Sequence, residues 1–300
     1  MSDLYGCIEA GGTKFVVGVA RSETEILATE RVPTTTPAET MAAVRAFFDR
    51  AGRDFGDFAA FGIGSFGPVG LDRNSANWGH ILDTPKPGWS GTDIGGAIAR
   101  AYGRPVGFDT DVNAAALAEV AWGAAIGASI ATYVTVGTGI GGGVVIDGRP
   151  LHGHRHPEMG HALPQRHPND TAFAGHCPFH GACYEGLASG PAILAHWGKT
   201  LSDLPPEHEA HEITAFYLAQ LVVTQQAMLS PERIVLGGGV MDTPGLLARV
   251  RARAATLANG YFSIADDGYE TLVRPPSLGN RAGLLGALLL AQQAHAAHRR

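Results

Sequence analysis

Cysteine is scarce in this chain, with three in 300 residues. That odd, small count excludes the disulfide framework of a small secreted domain. No apolar run approaches the ~18 residues that a membrane-spanning helix needs, so no membrane partner is expected. The opening residues, Met1-Ser2-Asp3-Leu4-Tyr5-Gly6, carry neither a basic run nor an apolar segment, so neither a signal peptide nor a transit peptide is expected. Charged residues are sparse, at 17%, and the net charge is −6, which argues against a nucleic-acid platform. What remains is a soluble, cytoplasmic α/β protein as the expectation. Apolar residues make up 45%, a globular composition, and the length suits one large domain or two ordinary ones.

Glycine is abundant instead: 41 residues, against a usual share of roughly 7%. They cluster in short runs between strand-like segments. Tyr5–Glu9 and Phe15–Val19 are β-rich and flank Ala10-Gly11-Gly12-Thr13-Lys14, which reads as a hairpin, with a third strand expected over 25–32. Pro37–Asp49 has helical spacing, with Met41, Val44, Phe47 and Phe48 on one face. A strand is expected over 59–64, a long loop over 72–90, and helices over 92–102 and 112–121. Ile130–Val136 alternates like a strand, followed by a glycine turn and a second strand over 143–146. Residues 149–186 have little periodicity and read as an irregular insert. Helices are expected from about 190, 209 and 244, a strand over 233–236 and a final helix over 281–295. The recurrence of a glycine hairpin near the start and near the middle suggests two similar α/β halves facing a cleft. The expected division is a small domain over 1–115, joined by the C-terminal helix 283–300, and a large domain over 116–282.

A tight glycine turn exposes successive backbone N–H groups, which bind phosphate oxygens, and it lets the backbone approach without a Cβ clash. Three such turns, at 11–12, 137–143 and 237–239, each follow an apolar strand. None is a Walker A loop, because the GxxxxGK[ST] spacing is absent. None is a Rossmann fingerprint, because the first turn leads into a strand. Asp111 and Asp109 lie between a strand end and a helix start. A carboxylate placed there reads locally as a helix N-cap, and also as a base able to take a hydroxyl proton.

Four segments then appear in a familiar order: Glu-Ala-Gly-Gly-Thr-Lys (9–14), Thr-Asp-Val-Asn-Ala-Ala-Ala-Leu-Ala-Glu (110–119), Thr-Val-Gly-Thr-Gly-Ile-Gly-Gly-Gly (135–143) and Leu-Gly-Gly-Gly-Val (236–240). With them the chain resembles the ROK sugar kinases over residues 6 to about 290. The likeness is to the zinc-containing bacterial fructokinase branch, on Gly-Ser-Phe-Gly-Pro (64–68), Thr-Pro-Lys-Pro-Gly-Trp (84–89), His-Pro-Glu-Met-Gly-His (156–161) and Cys-Pro-Phe-His-Gly-Ala-Cys-Tyr-Glu-Gly (177–186).

The resemblance implies an actin-like ATPase (ribonuclease H-like) fold whose two domains close on ATP and sugar. It implies fructose as acceptor, with glucose, mannose or an N-acetylhexosamine as alternatives, and a homodimer as the assembly. Gly11, Gly12, Thr13 and Lys14 are expected at the phosphates, as are Thr138 and Gly139. Ala188 and Gly190 are expected near the nucleotide, and Gly237, Gly238, Gly239, Val240 and Met241 on its adenosine side. Asp111 becomes the general base, with Asp109 its rival. Asn113 is expected to hold local geometry or a sugar hydroxyl. Gly67, Pro68, Glu158, His161 and Glu185 are the sugar-site candidates, with the loop from Trp78 to Trp89 as a lid and Trp89 equally readable as packing. Mg²⁺ is expected to arrive with ATP. ROK proteins also include transcriptional repressors with an added N-terminal helix-turn-helix. The first glycine loop starts by residue 9, so a non-catalytic sugar sensor binding DNA is not expected.

Seven of the 13 histidines fall between residues 152 and 180. His161, Cys177, His180 and Cys183 form H-x15-C-x2-H-x2-C, two imidazoles and two thiolates that suit tetrahedral Zn²⁺. Four protein ligands leave no open position, so a structural metal is expected, stiffening the loop between Glu158 and Glu185 and weighing against a metal-dependent hydrolase. The commoner family pattern fills three ligand positions with cysteine; here His180 takes one. His167 and His176 are close enough in sequence to compete. The alternatives are a Cys177–Cys183 disulfide, disfavoured in a reducing cytosol, and free core thiols, disfavoured by the histidine excess. Cys7 reads as a buried strand residue.

Overall fold

The structure, a computed structural model, describes residues 3–262 and 268–299. The ends of the expected domain ranges at 1–2, 263–267 and 300 lie outside the described residues. The chain divides into two compact units. One runs to Ala118 and includes His152–His156 and the residues from Leu278 onward; the other comprises Glu119–Leu151 and Pro157–Ser277. The insert over 149–186 therefore does not belong to one unit. Its residues 152–156 group with the first.

In the first unit, β1 (Leu4–Ala10), β2 (Lys14–Ala20) and β3 (Ile26–Pro33) form an antiparallel meander, followed by α1 (Pro37–Phe55) and β4 (Phe58–Ser65). Helix α1 starts where it does because Thr36 caps it. The Thr36 hydroxyl accepts from Glu39 N, the Glu39 carboxylate reaches back to Thr36 N, and Pro37 occupies the first turn. Next come α2 (Gly95–Tyr102), β5 (Val106–Thr110) and α3 (Asp111–Trp122). Helix α2 starts three residues later than its sequence spacing suggests, because Asp93 Oδ1 accepts from Gly96 N and holds residues 92–94 outside the helix. The sheet order is β3-β2-β1-β4-β5, with β1, β4 and β5 mutually parallel.

The second unit repeats the pattern. β6 (Ile130–Val136), β7 (Ile140–Ile146) and β8 (Arg149–Pro150) form the meander. After α4 (Tyr184–Ala188), α5 (Gly190–Trp197) and α6 (Glu209–Leu229), β9 (Arg233–Gly237) lies parallel to β6. Helices α7 (Leu246–Ala258) and α8 (Gly268–Leu272) precede β10 (Val273–Arg274), which lies parallel to β9. The order β10-β9-β6-β7-β8 matches the first sheet strand for strand. β7 starts at Ile140, three residues before its sequence expectation, so the glycines at 141–143 are strand and the turn is only Gly137–Gly139.

Helix α9 (Ala282–His298) completes the first unit. It buries Leu284, Leu285, Leu288 and Leu290. Part of the glycine excess serves this contact. A Cβ at Gly62 in β4 would sit 2.6 Å from Ala291 N, and one at Gly107 in β5 would run into the Leu290 carbonyl. Bare backbone on the strands lets the helix seat directly on the sheet.

Trp89 is fully buried against Phe15 and Phe66, and its indole N–H donates to the Thr35 carbonyl at 2.9 Å. It is a packing residue, which removes it from the expected lid. Cys7 is buried in β1, and desolvation pushes its thiol far above its ordinary value. No described helix is long and apolar enough to cross a membrane.

Candidate active site and metal cluster

The β1–β2 turn is closed by Gly11 N donating to Lys14 O at 3.0 Å. The end of β3 buttresses it: Thr34 N donates to Thr13 O at 3.0 Å and the Thr34 hydroxyl to Gly11 O at 2.8 Å. Gly11 must be glycine, since a Cβ there would lie 2.7 Å from Lys14 O. A Cβ at Gly12 would meet nothing within 4 Å, and Gly12, Thr13 and Lys14 are exposed. The turn thus presents an open backbone face beside one ammonium. Glu9, just before it, is mostly buried, and that burial raises its carboxyl above the ordinary range.

In the second unit the β6–β7 turn is closed by Gly137 N donating to Gly139 O, leaving Thr138 exposed. Glu185 Oε2 accepts from Ile140 N at 3.0 Å and lies where a Cβ at Gly139 would stand. Sequence placed Glu185 at the sugar; the structure fastens it to this turn. Ala188 is fully buried, and Gly190 is half-buried with its amide donating to Gly137 O at 2.8 Å. Ser189 caps α5 through Ala192 N. Of the residues after β9, Gly237 packs on Tyr133 and Pro276, and Val240 is buried with its amide donating to Val136 O. Gly238, at φ +93°, is a turn position that favours glycine. Gly239 is exposed and Met241 half-buried.

The β5–α3 junction is the most heavily bonded segment of the candidate site. Thr110, not Asp111, caps α3, its hydroxyl accepting from Asn113 N at 3.0 Å. Asp111 is the first helical residue and half-buried, with Oδ1 accepting from Val112 N at 2.9 Å. Asp109 is buried, and both its oxygens are engaged. Oδ1 accepts from Thr110 N at 2.7 Å and Asn113 Nδ2 at 2.6 Å, and Oδ2 pairs with His152 Nε2 at 2.9 Å. Asn113 is sealed from solvent and holds local geometry. Gly67 and Pro68 are half-buried beside His156, whose Nε2 accepts from Val69 N at 3.2 Å.

Glu158 is exposed, and its carbonyl accepts from His161 N at the start of the cysteine-bearing loop. Among the described residues, His161, Cys177, His180 and Cys183 bring one donor atom each to within 4.8 Å of one another. Cys177 Sγ lies 3.7 Å from His161 Nδ1 and 3.8 Å from His180 Nδ1; Cys183 Sγ lies 3.7 Å from His161 Nδ1. A tetrahedral ion with bonds of about 2.3 Å to sulfur and 2.0–2.1 Å to nitrogen needs S···N edges of about 3.6 Å, so the donor set fits such a metal. The loop achieves this with a tight turn in which Gly181, at φ +56°, donates to Cys177 O. Burial pushes the Cys183 thiol up to about 11, a group that a bound cation converts to thiolate. Cys177 and Cys183 form no disulfide. His167 and His176 stand outside the cluster; His167 packs on Phe216 and accepts from Asn169 N.

Sequence reasoning missed His152 and His156. For His152 the signal was the crowding of histidines, which pointed to metal; His156 also opens the His-Pro-Glu-Met-Gly-His segment, with no role read for it. The structure assigns just two of the seven to the cluster and these two to Asp109 and Val69.

Two meander-plus-parallel sheets of one topology, each carrying a glycine turn after its first strand, define the actin-like ATPase class of fold. A family model described as the ROK family matches residues 5–294, and the chain belongs to that family. A fructokinase from Zymomonas mobilis is 56% identical over 291 residues, 96% of each chain. A fructokinase from Streptococcus mutans is 41% identical over 98% of this chain and 99% of its own. Among solved structures, a ROK hexokinase from Thermus thermophilus superposes with a TM-score of 0.79 at 30% identity, covering 97% of this chain and 98% of that one. A ROK family glucokinase from Streptomyces griseus, in complex with glucose and AMPPNP, gives 0.74 at 26% identity, with 97% and 99% covered.

Proposed function

We propose that this protein is an ATP-dependent fructokinase that phosphorylates D-fructose to fructose 6-phosphate. The observation that carries this is the 56% identity to the Zymomonas mobilis fructokinase across 96% of both chains. In the reaction the fructose 6-hydroxyl oxygen attacks the γ-phosphorus, the bond from that phosphorus to the β,γ-bridging oxygen breaks, and ADP leaves. Asp111 accepts the hydroxyl proton. Asp109 is a poor rival, because it is buried and both its oxygens are already bonded.

The open turn at Gly12, Thr13 and Lys14 receives phosphate oxygens, as does the Thr138–Gly139 turn, while Gly238, Gly239 and Met241 line the nucleotide's adenosine side. Gly67, Pro68, Glu158, His161 and Glu185 form the sugar side. Mg²⁺ accompanies ATP and neutralises its phosphate charge. The cluster of His161, Cys177, His180 and Cys183 suits Zn²⁺ in a structural role, with no position left for substrate. Glu158 and Glu185 flank that cluster, so metal binding and sugar-site geometry are coupled. A homodimer and a cytoplasmic setting, where thiolates stay reduced, belong to the same proposal.

The test is an ADP-release assay with Mg-ATP across fructose, glucose, mannose, N-acetylglucosamine and N-acetylmannosamine. Fructose is expected to be preferred. Preference for another hexose, as the glucose-bound Streptomyces relative suggests, retains the mechanism and replaces the substrate. No turnover with any of them turns the proposal toward a sugar sensor. Asp111→Asn is expected to keep nucleotide affinity and lose roughly 10²–10⁴-fold in turnover. Near-normal turnover in that variant removes Asp111 as the base.

A further inference from the structure

Residues 152–156 group with the first unit, although the chain before and after them belongs to the second. Two histidines hold this short segment. His156 Nε2 accepts from Val69 N, beside Gly67 and Pro68. His152 Nε2 pairs with Asp109 Oδ2 at 2.9 Å, two residues before Asp111. The partner is unusual: Asp109 is 2% exposed while the His152 side chain is 39% exposed, so a surface residue completes a buried carboxylate.

We propose that His152 is a positioning residue for the reaction, holding Asp111 in place through Asp109. The inference rests on the assignment of Asp111 as the base. Three bonds interlock the junction around Asp111: Thr110 N and Asn113 Nδ2 to Asp109 Oδ1, and Asn113 N to the Thr110 hydroxyl. The first two depend on where the Asp109 carboxylate stands, and the third is the helix cap between the residues they hold. Its Oδ1 takes two donors, and its Oδ2 takes His152. With His152 removed, a buried carboxylate oxygen loses a charge-assisted partner, and burying it unpaired is costly. The carboxylate then rotates toward water, and the two Oδ1 bonds that set the first turn of α3 go with it. Asp111 is the first residue of that turn, and a misplacement of about 1 Å is enough to cost a large factor in rate.

The experiment is a double-mutant cycle on the full-length protein, pairing His152→Ala with Asp111→Asn and measuring single-turnover phosphorylation of fructose with radiolabelled ATP. With Asp111 present, H152A is expected to lower kcat about tenfold while the KM for ATP stays within about twofold. H152Q, whose amide nitrogen reaches the same oxygen, is expected to recover to within about threefold of wild type. In the D111N background, H152A is expected to change the residual rate by less than about twofold, because the group it positions is gone. An equal loss in both backgrounds, or no loss in either, overturns the proposal. So does a loss in H152A that H152Q fails to recover. Wild-type turnover and its loss in D111N report on the assignment of Asp111; the ratio of H152A to wild type in the two backgrounds reports only on His152.

Discussion

Replacing Cys183 separates two jobs that one sulfur performs. Its Sγ lies 3.7 Å from His161 Nδ1 in the metal cluster, and it also caps α4 by accepting from Gly186 N at 3.4 Å. Serine keeps a capping oxygen and removes the thiolate; alanine removes both. A cap is worth about 1 kcal/mol. A metal present at 1,000 times its dissociation constant stabilises the folded state by about 4 kcal/mol. C183S is therefore expected to purify without metal and to lose up to about 4 kcal/mol, with C183A about 1 kcal/mol lower again. Function is expected to follow through Glu185, which sits two residues along α4 and accepts from Ile140 N in the β6–β7 turn. Loosening α4 raises the KM for fructose more than that for ATP. The measurements are metal content per chain by mass spectrometry, urea unfolding, and sugar KM with and without a strong chelator. One equivalent of metal retained in C183S, or metal-free wild-type protein with an unchanged fructose KM, refutes the coupling of cluster to sugar site.

Gly62→Ala puts a Cβ 2.8 Å from the Ala287 carbonyl carbon, closer still to its oxygen, and 2.6 Å from Ala291 N, so α9 has to lift off the sheet. The expected cost is about 3 kcal/mol, or roughly 6–12 °C in Tm; a wild-type Tm disproves the close-approach account. Gly12→Ala meets no protein atom, so stability is expected to stay within about 0.5 kcal/mol while the KM for ATP rises severalfold. An unchanged KM for ATP removes this turn from the phosphate site. The Asp109 hydrogen bond raises the His152 pKa above its ordinary value, against the opposing effect of burial. The stability this contributes is fully present below about 6.5 and is lost as pH rises through the raised pKa. The advantage of wild type over H152Q in urea unfolding is thus expected to shrink on going from about pH 6 to pH 9, and a constant advantage contradicts the pairing.

Local chemistry determined much of this protein directly from its sequence. Strand segments showed through β-branched and apolar runs, and α1 through its periodic Met41, Val44, Phe47 and Phe48, which the structure buries. The two glycine hairpins pointed to two related halves, and the matching strand orders bear that out. The metal-type donors were legible because three of the four candidate residues sit on one short loop, where spacing alone constrains them. The tertiary structure decided what spacing does not encode. Asp109 and His152 are 43 residues apart, and His156 and Val69 are 87 apart; no periodicity links such pairs, so sequence alone left their histidines without an assignment. The glycines at 62 and 107 have no local reason in the sequence; α9, far along the chain, supplies the backbone they admit. The Gly190 amide, at what reads in sequence as a helix start, is engaged by the Gly137 carbonyl, a residue 53 positions earlier in the chain. Sequence specifies groups and their nearest neighbours along the chain; which buried group each meets across the fold depends on packing of segments that are remote in sequence.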